Sequence, residues 1–148
     1  MGTTPSSEPF YSHAAAALQV ITYKKVQNKI NAILKQYGLN TTQWIILGKL
    51  DEKRSGLRAT DLARFMHVEV PLVTMVSQPL LGRGLIDSVV PSHDKRTKLL
   101  RITSQAHDMV KVIEQKLQRQ FADIVKDVSA QDLQAYFKVL NSMMANVA

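Results

Sequence analysis

The chain has 148 residues, 45% of them hydrophobic, and a formal net charge of +7 with a pI of about 9.8. This length suits one domain with a hydrophobic core, and the excess positive charge favours a polyanionic partner, either nucleic acid or an anionic surface. The sequence contains no cysteine, which excludes disulfides and thiolate metal sites and is typical of the reducing cytoplasm, where we expect the protein.

The positive charge is concentrated in the first two thirds of the chain. Residues 1–56 contain seven basic and three acidic side chains, and residues 57–102 contain seven and four, whereas residues 103–148 contain five of each. A polyanion should therefore bind the earlier segments. No apolar run approaches the roughly 18 residues that a membrane helix needs, so we expect no membrane partner.

The first third of the chain predicts two helices. Residues 1–9 are rich in Ser, Thr and Pro, and we expect them to be disordered. Apolar residues then recur at helical spacing over residues 14–37. A second helix is predicted over residues 41–50, with Thr41 or Thr42 as its N-cap.

The middle third predicts two short helices followed by a β-hairpin. The first helix covers residues 60–66, and the second begins at Pro71, a residue favoured at the first helical position, and ends near Gly82. Strands are predicted over residues 85–90 and 98–102, with a turn between them. Two short helices followed by such a hairpin are a helix-turn-helix with a wing.

The last third is again predicted to be helical. Thr103 caps a long helix whose apolar stripe continues to Val128, and Ser129 begins the final helix. An apolar stripe on the final helix extends to Val147. It indicates a partner, and symmetric dimers are the commonest oligomers. The predicted fold class is mainly α with a small β-hairpin, in the order α-α-α-α-β-β-α-α.

The second short helix has polar side chains suited to reading DNA bases. Thr74, Ser77 and Gln78 are predicted to face outward, with Pro71 near the helix start, while Phe65 is expected in the core between the two short helices. Thr and Ser can bond phosphates or base edges, and Gln suits adenine. The alternative is an ordinary helical hairpin whose polar surface binds nothing.

The predicted wing has a charged tip. Arg96 is suited to the minor groove, where negative potential is concentrated, and Asp94 could either bond its guanidinium or cap the turn. His93, Lys95 and Lys98, together with Arg101, would attract phosphates. The alternative is a solvated hairpin with a surface ion pair worth about 0–1 kcal/mol.

The segment from Asp94 to Thr103 resembles the wing signature of the MarR family of bacterial transcription regulators, with Ile102 for the usual Leu. Residues 80–86 are similar to the end of that family's recognition helix. Residues 43–47 and 60–63 resemble its second and third helices. The resemblance covers about residues 10–148.

The resemblance implies a homodimer that binds double-stranded DNA. The single domain over residues 10–148 would use helices within residues 10–37 and 104–148 to pair the subunits, and residues 41–103 would form the DNA-binding lobe. Each recognition helix would enter a major groove of a palindromic site. Thr60 would contact DNA, and Arg96 would enter the minor groove with Asp94 orienting it.

Two positions depart from the family pattern. Family members often have a basic residue where Met75 and Pro79 stand. Proline inside a helix removes the hydrogen bond to the carbonyl of Met75 and clashes with it, at a cost of about 3 kcal/mol, so a kink or early end is expected. These departures motivate an alternative function, a ligand- or protein-binding module with weak or non-specific DNA binding.

The resemblance also implies a ligand, because family members often bind small aromatic acids between the dimer helices and the DNA-binding lobe. In such a cavity, Lys24 or Arg64 would meet the carboxylate of the ligand. Aromatic and His side chains would line the cavity: Tyr11, His13, Tyr23 and Trp44. The alternative is that these are core or interface residues.

Other chemistry is not indicated. The four histidines show no i, i+4 pair, which argues against a metal site. No nucleophile elbow, phosphate loop or close pair of carboxylates is visible, so we expect no catalytic residue, no cofactor and no enzymatic activity.

Overall fold

The computed structural model describes residues 12–147. Its elements are α1 (His13–Lys35), α2 (Thr41–Glu52), α3 (Ala59–Met66), α4 (Val70–Gly82), β1 (Ile86–Val89), β2 (Leu99–Ile102), α5 (Ser104–Ile124) and α6 (Ala130–Asn146). The predicted element order is confirmed. The predicted disordered segment, residues 1–9, lies outside the described residues.

The described chain divides into two compact units. The boundary falls between Leu117 and Gln118, within α5. The first unit contains α1 to α4, the hairpin and most of α5, and the second contains the end of α5 together with α6. The assignment of residues 41–103 to DNA binding and of both chain ends to dimerisation stays a prediction.

A single hydrophobic core holds the first unit together. Burying a large aliphatic side chain contributes about 1.5–3 kcal/mol of transfer free energy. The nearly inaccessible members come from α1 to α5 and the hairpin: Leu34, Ile46, Leu47, Leu50, Leu62, Val73, Leu80, Ile86 and Ile113. The start of α5 therefore belongs to the same packed unit as the two short helices and the wing.

The N-cap of α2 is Asn40, so the prediction of Thr41 or Thr42 was wrong. The Asn40 side chain accepts the Gln43 backbone N–H at 2.8 Å, and Gln43 Oε1 accepts the Asn40 N–H at 3.1 Å. This reciprocal pair is a capping box, which satisfies two backbone donors at once. A lone Thr cap one residue later would satisfy fewer donors.

The caps predicted for the last two helices are confirmed. Thr103 Oγ1 accepts the Ala106 N–H at 3.3 Å, and Ser129 Oγ accepts the Asp132 N–H at 3.0 Å. Between these caps α5 ends at Ile124, earlier than the predicted apolar stripe.

Helix α4 continues through Pro79 to Gly82, so of the predicted kink or early end, the early end does not occur. Proline cannot donate to the Met75 carbonyl, but the next residue, Leu80, is fully buried in the core. Burial of this side chain offsets much of the cost of the missing hydrogen bond, because both are a few kcal/mol.

The hairpin is fixed to the lobe along its base. Ile86 pairs with Ile102, and Asp87 pairs with Arg101. Leu57 extends the ladder, because it exchanges two backbone hydrogen bonds with Leu100 at 2.9 and 2.8 Å. The strands are therefore held at their base, and the tip of the hairpin projects beyond them.

Candidate nucleic-acid interface

Helix α4 exposes Thr74 and Gln78 as predicted, but Ser77 is only 2% exposed. The prediction that Ser77 faces outward was wrong, because Val73, Ser77 and Leu80 recur at the spacing of one helix face. All three residues pack into the core. Ser77 therefore cannot contact DNA from this position.

Burial of Ser77 has an energetic consequence, since its Oγ has no hydrogen-bond partner among the described residues. An unsatisfied buried hydroxyl costs about 1–3 kcal/mol. We expect Ser77→Ala to raise the free energy of unfolding by about 1 kcal/mol or more in urea denaturation. Ser142→Ala, at an exposed position of α6, controls for the better helix propensity of alanine. Destabilisation by Ser77→Ala would contradict the expectation.

The first turn of α3 combines the predicted contact Thr60 with an arginine that was not among the predicted contacts. Thr60 is exposed. Arg58, just before the helix, donates from Nε and Nη2 to the two carboxylate oxygens of Asp61 at 3.0 and 3.1 Å. The bond raises the pKa of Arg58 and lowers the pKa of Asp61. An acidic residue three positions after a basic one was the available signal for this pair.

The wing tip is built around Asp94. One carboxylate oxygen of Asp94 accepts the Arg96 backbone N–H at 3.0 Å, and the other accepts the Thr97 hydroxyl. The Asp94 N–H donates to the Pro91 carbonyl at 3.3 Å. Of the two roles predicted for Asp94, capping the turn is the one that the geometry favours. Asp94 restrains the backbone that carries Arg96 rather than its guanidinium.

The exposed basic side chains of the wing surround this turn. Lys95, Arg96 and Lys98 are exposed, and so is His93. Because the side chains lie on one short loop whose backbone is hydrogen-bonded, they form a compact positive surface. We call these four residues the wing cluster.

The Asp94 turn should respond to pH. Hydrogen bonds from the Thr97 hydroxyl and the Arg96 N–H, with nearby positive charge, hold the pKa of Asp94 below the usual aspartate range. Because the pKa of Asp94 is lower in the folded state than in the unfolded state, these hydrogen bonds contribute fully to stability above the unfolded-state pKa. Their contribution is lost as the pH falls through the folded-state pKa.

We expect the NMR signals of the Asp94 carboxyl and the Arg96 amide to titrate together, with a midpoint below that of an ordinary aspartate. The Asp94→Asn variant should abolish this titration of the Arg96 amide, because the asparagine side chain does not ionise. A midpoint at or above the usual aspartate pKa would contradict the assignment.

Two further arginines are engaged in the fold. Arg101 donates from Nε and Nη2 to Asp87 at 3.1 and 2.9 Å, which raises the pKa of Arg101. Arg83, after α4, donates to the carbonyls of Gly38 and Tyr37 at 2.9 and 2.7 Å and so joins the end of α4 to the end of α1. Arg101, expected to attract phosphate, is therefore committed to a cross-strand pair.

An open cleft of about 340 Å³ lies between α2, α3 and α5 of the first unit. Its lining consists of Trp44, Ile45, Gly48, Lys49, Asp51, Glu52, Phe65, Val110 and Glu114. Phe65 is 48% exposed, so its predicted place in the core was wrong. The Lys49 ammonium lies 4.4 Å from the centre of the Phe65 ring and 2.8 Å from a Glu52 oxygen. The Asp51 carboxylate contacts His107 Nδ1 at 2.5 Å.

Of the residues predicted to line a ligand cavity, the structure places Trp44 in this cleft. His13 and Tyr23 are exposed on α1 and do not line it, and neither do Lys24 and Arg64. Tyr11 lies outside the described residues. The cleft lining includes three carboxylates and one ammonium group, so its charge does not suit a carboxylate ligand.

Within residues 12–147, no three His, Asp or Glu side chains are grouped so that they could hold a metal ion. Over the same residues, no helix is long and apolar enough to cross a membrane.

The two packed short helices and the basic wing define a winged helix-turn-helix protein. Residues 39–98, from the start of α2 to the wing, match the family model of the MarR family. The part of the chain from α2 to the wing therefore resembles a MarR-family domain.

Solved structures of the same fold include three informative ones. The Staphylococcus aureus MepR–DNA complex is 20% identical and has a TM-score of 0.79, with 93% of this chain and 99% of that chain covered. CouR from Rhodococcus jostii, bound to p-coumaroyl-CoA, is 17% identical to this chain with a TM-score of 0.80, and the match covers 88% of this chain and 92% of CouR. Wild-type MarR from E. coli, in its apo form, is 16% identical to this chain with a TM-score of 0.69, and the match covers 86% of this chain and 95% of that chain.

Proposed function

We propose that this protein is a transcription regulator that binds a palindromic DNA operator as a homodimer. The observation that carries the proposal is the wing cluster, three exposed cations and a histidine on a turn whose backbone is held by Asp94. A positive loop with a restrained backbone loses less conformational entropy when it binds a groove. MepR, which has the same fold, is solved in complex with DNA.

The proposed DNA contacts come from three elements. On α3 and α4 the contacts are polar or apolar side chains near the helix surface, and on the wing they are basic. The set is Thr60, Pro71, Thr74, Gln78, His93, Lys95, Arg96 and Lys98, all of them exposed. Asp94 supports the wing contact from inside the turn.

Homodimer formation is supported by exposed apolar side chains on both terminal helices. On α1, Leu18 and Ile21 are more than half exposed. On α6, Tyr136, Phe137 and Leu140 are exposed at helical spacing. Exposed apolar side chains at helical spacing mark an interaction site, and two copies of one chain commonly pair through the same surface.

Selection of binding sites from random DNA tests the proposal. We expect a palindromic sequence to be recovered, and the affinity for it to fall steeply with salt, because bound Lys and Arg displace counterions from phosphates. Weak, salt-sensitive binding without a common sequence would instead support the alternative, a ligand- or protein-binding winged-helix module.

We also propose that a small aromatic ligand in the Trp44 cleft releases the DNA. CouR, of the same fold, is solved with p-coumaroyl-CoA. Trp44 and Phe65 offer aromatic faces, whereas Asp51, Glu52 and Glu114 line the cleft with negative charge. These carboxylates favour an aromatic ligand that is neutral or cationic over the aromatic acid that the family resemblance implies.

The tryptophan in the cleft gives a direct assay, because Trp44 is the one tryptophan of the sequence. We expect aromatic amines to change its fluorescence at lower concentration than the matching aromatic acids, and to reduce operator binding at the same concentrations. Glu52→Gln should narrow the difference between the two ligand series. Tighter binding of the acids would contradict the charge argument.

A further inference from the structure

Helix α4 differs from the wing in having no charge. None of its 13 residues, Val70–Gly82, is acidic or basic. Its outward surface nevertheless includes exposed large apolar side chains, with Met75 at 63% and Leu72 at 37% exposure. The helix proposed to enter the major groove therefore has no cation to offer a phosphate or a guanine.

The exposed apolar residues form an ordered stripe. Met75 is two positions from both Val73 and Ser77, and at about 100° per residue it lies on the opposite side of the helix from that buried face. Pro71 and Pro79 stand one turn before and after Met75, and both are exposed. We call Pro71, Met75 and Pro79 the α4 stripe. Gln78 and Thr74 lie along one edge of it.

The chemistry of the major groove limits what the α4 stripe can recognise. The exposed edges of G, C and A present hydrogen-bond donors and acceptors, while thymine adds the apolar C5-methyl group. A methionine at the centre of the outward face has no donor for guanine, and its flexible side chain adapts to an apolar surface. Gln78, at the edge, can bond the N6 and N7 of the adenine that pairs with thymine.

We propose that the α4 stripe reads thymine methyl groups, with Met75 as the specificity-determining residue and Gln78 as the partner of an adenine. Each operator half-site should therefore have A·T pairs beneath α4. This inference rests on the proposed DNA-binding function and specifies its sequence preference. The two elements would then have different roles in DNA binding: the wing cluster attracts phosphates, and α4 discriminates between bases.

Replacing single thymines by uracil tests the proposal, because the change removes only the C5-methyl and leaves base pairing intact. The full-length protein is titrated by fluorescence anisotropy against a selected operator and its single-uracil versions. We expect at least one thymine per half-site at which uracil weakens binding about threefold to tenfold, the value of one buried methyl group.

Variants of the protein assign that effect to a residue. The Met75→Ala variant should bind the thymine operator more weakly than wild type does. It should bind the thymine and uracil operators with the same affinity, so that the effect of uracil substitution disappears. Lys95→Ala, in the wing cluster, should weaken both operators by the same factor. Because Met75 is largely exposed, its replacement should leave the folded state unchanged by circular dichroism.

The outcomes separate the inference from the function on which it rests. If no common sequence is recovered, the proposed regulator function fails. If a palindrome is recovered but no uracil substitution changes affinity, the regulator stands and thymine reading is overturned. If uracil sensitivity persists in Met75→Ala, another residue contacts the methyl group, and the assignment to Met75 is overturned.

Discussion

Arg96→Ala is expected to weaken operator binding by about tenfold or more while leaving the folded dimer intact. Arg96 is exposed at the tip of the wing, and its backbone N–H is bound by Asp94. The narrow minor groove concentrates negative potential, so an arginine that enters it contributes more than one that lies beside a phosphate. Anisotropy titration at fixed salt, with sedimentation of the free protein, measures both parts of the prediction.

Two control variants distinguish a groove contact from general attraction. Lys95→Ala removes a neighbouring charge of the same loop and should cost less. Arg119→Ala removes an exposed arginine of α5, far along the chain from the wing, and should cost least. Arg96→Lys keeps the charge but loses the planar guanidinium, so its affinity should fall between those of wild type and Arg96→Ala. Equal losses of affinity in Arg96→Ala and Lys95→Ala would contradict the placement of Arg96 in the minor groove.

The role of Asp94 adds a second way to test the wing. Asp94→Ala removes the acceptor for the Arg96 N–H and for the Thr97 hydroxyl but leaves every cation in place. If the turn must be restrained, this variant should bind more weakly than wild type although its net charge is more positive. General attraction alone predicts the opposite change, so the sign of the effect decides between the two explanations.

Element order was predictable because the strong signals in this sequence are local. Helical apolar spacing identified the helices, and the glycines at the end of α4, together with the proline turn, located the hairpin. The caps Thr103 and Ser129 were also predicted, since each is the first residue suited to that role before an apolar run. At α2 three consecutive residues were suited to capping, and Asn40 forms the cap because Gln43 completes the reciprocal pair.

The burial of two site residues was predicted wrongly because residue type alone did not indicate which side of the helix faces the core. Ser77 is polar and was expected outside, but it lies between Val73 and Leu80 on the buried face. Phe65 is aromatic and was expected in the core, yet it lines an open cleft. Neither outcome follows from hydrophobicity, since the phase of a short helix is set by the neighbours against which it packs.

The structure also changes the meaning of Met75 and Pro79. In the sequence they departed from the family pattern and suggested that DNA reading had been lost. With α4 continuous through Pro79, both side chains lie on the exposed face of an intact helix. An apolar recognition surface then remains compatible with sequence-specific binding, provided that the bases beneath it include thymine.

Leu140→Glu is expected to convert the protein to a monomer and to reduce operator affinity by about 100-fold or more. Leu140 lies in the apolar stripe of α6, and no residue of that helix is buried in the single chain. A charge there should therefore leave the fold of the chain unchanged and oppose pairing of two copies. A monomer binds each half-site separately and loses the gain that comes from linking two contacts.

Ser142→Glu is the matched control, because it adds the same charge to the same helix two residues away, on the opposite side from Leu140. It should remain a dimer in sedimentation and bind the operator with affinity close to wild type. Circular dichroism should show equal helix content for both variants. A Leu140→Glu protein that is still dimeric would exclude this face of α6 from the interface. A monomer that binds the operator as tightly as wild type would instead show that one wing and one recognition helix suffice.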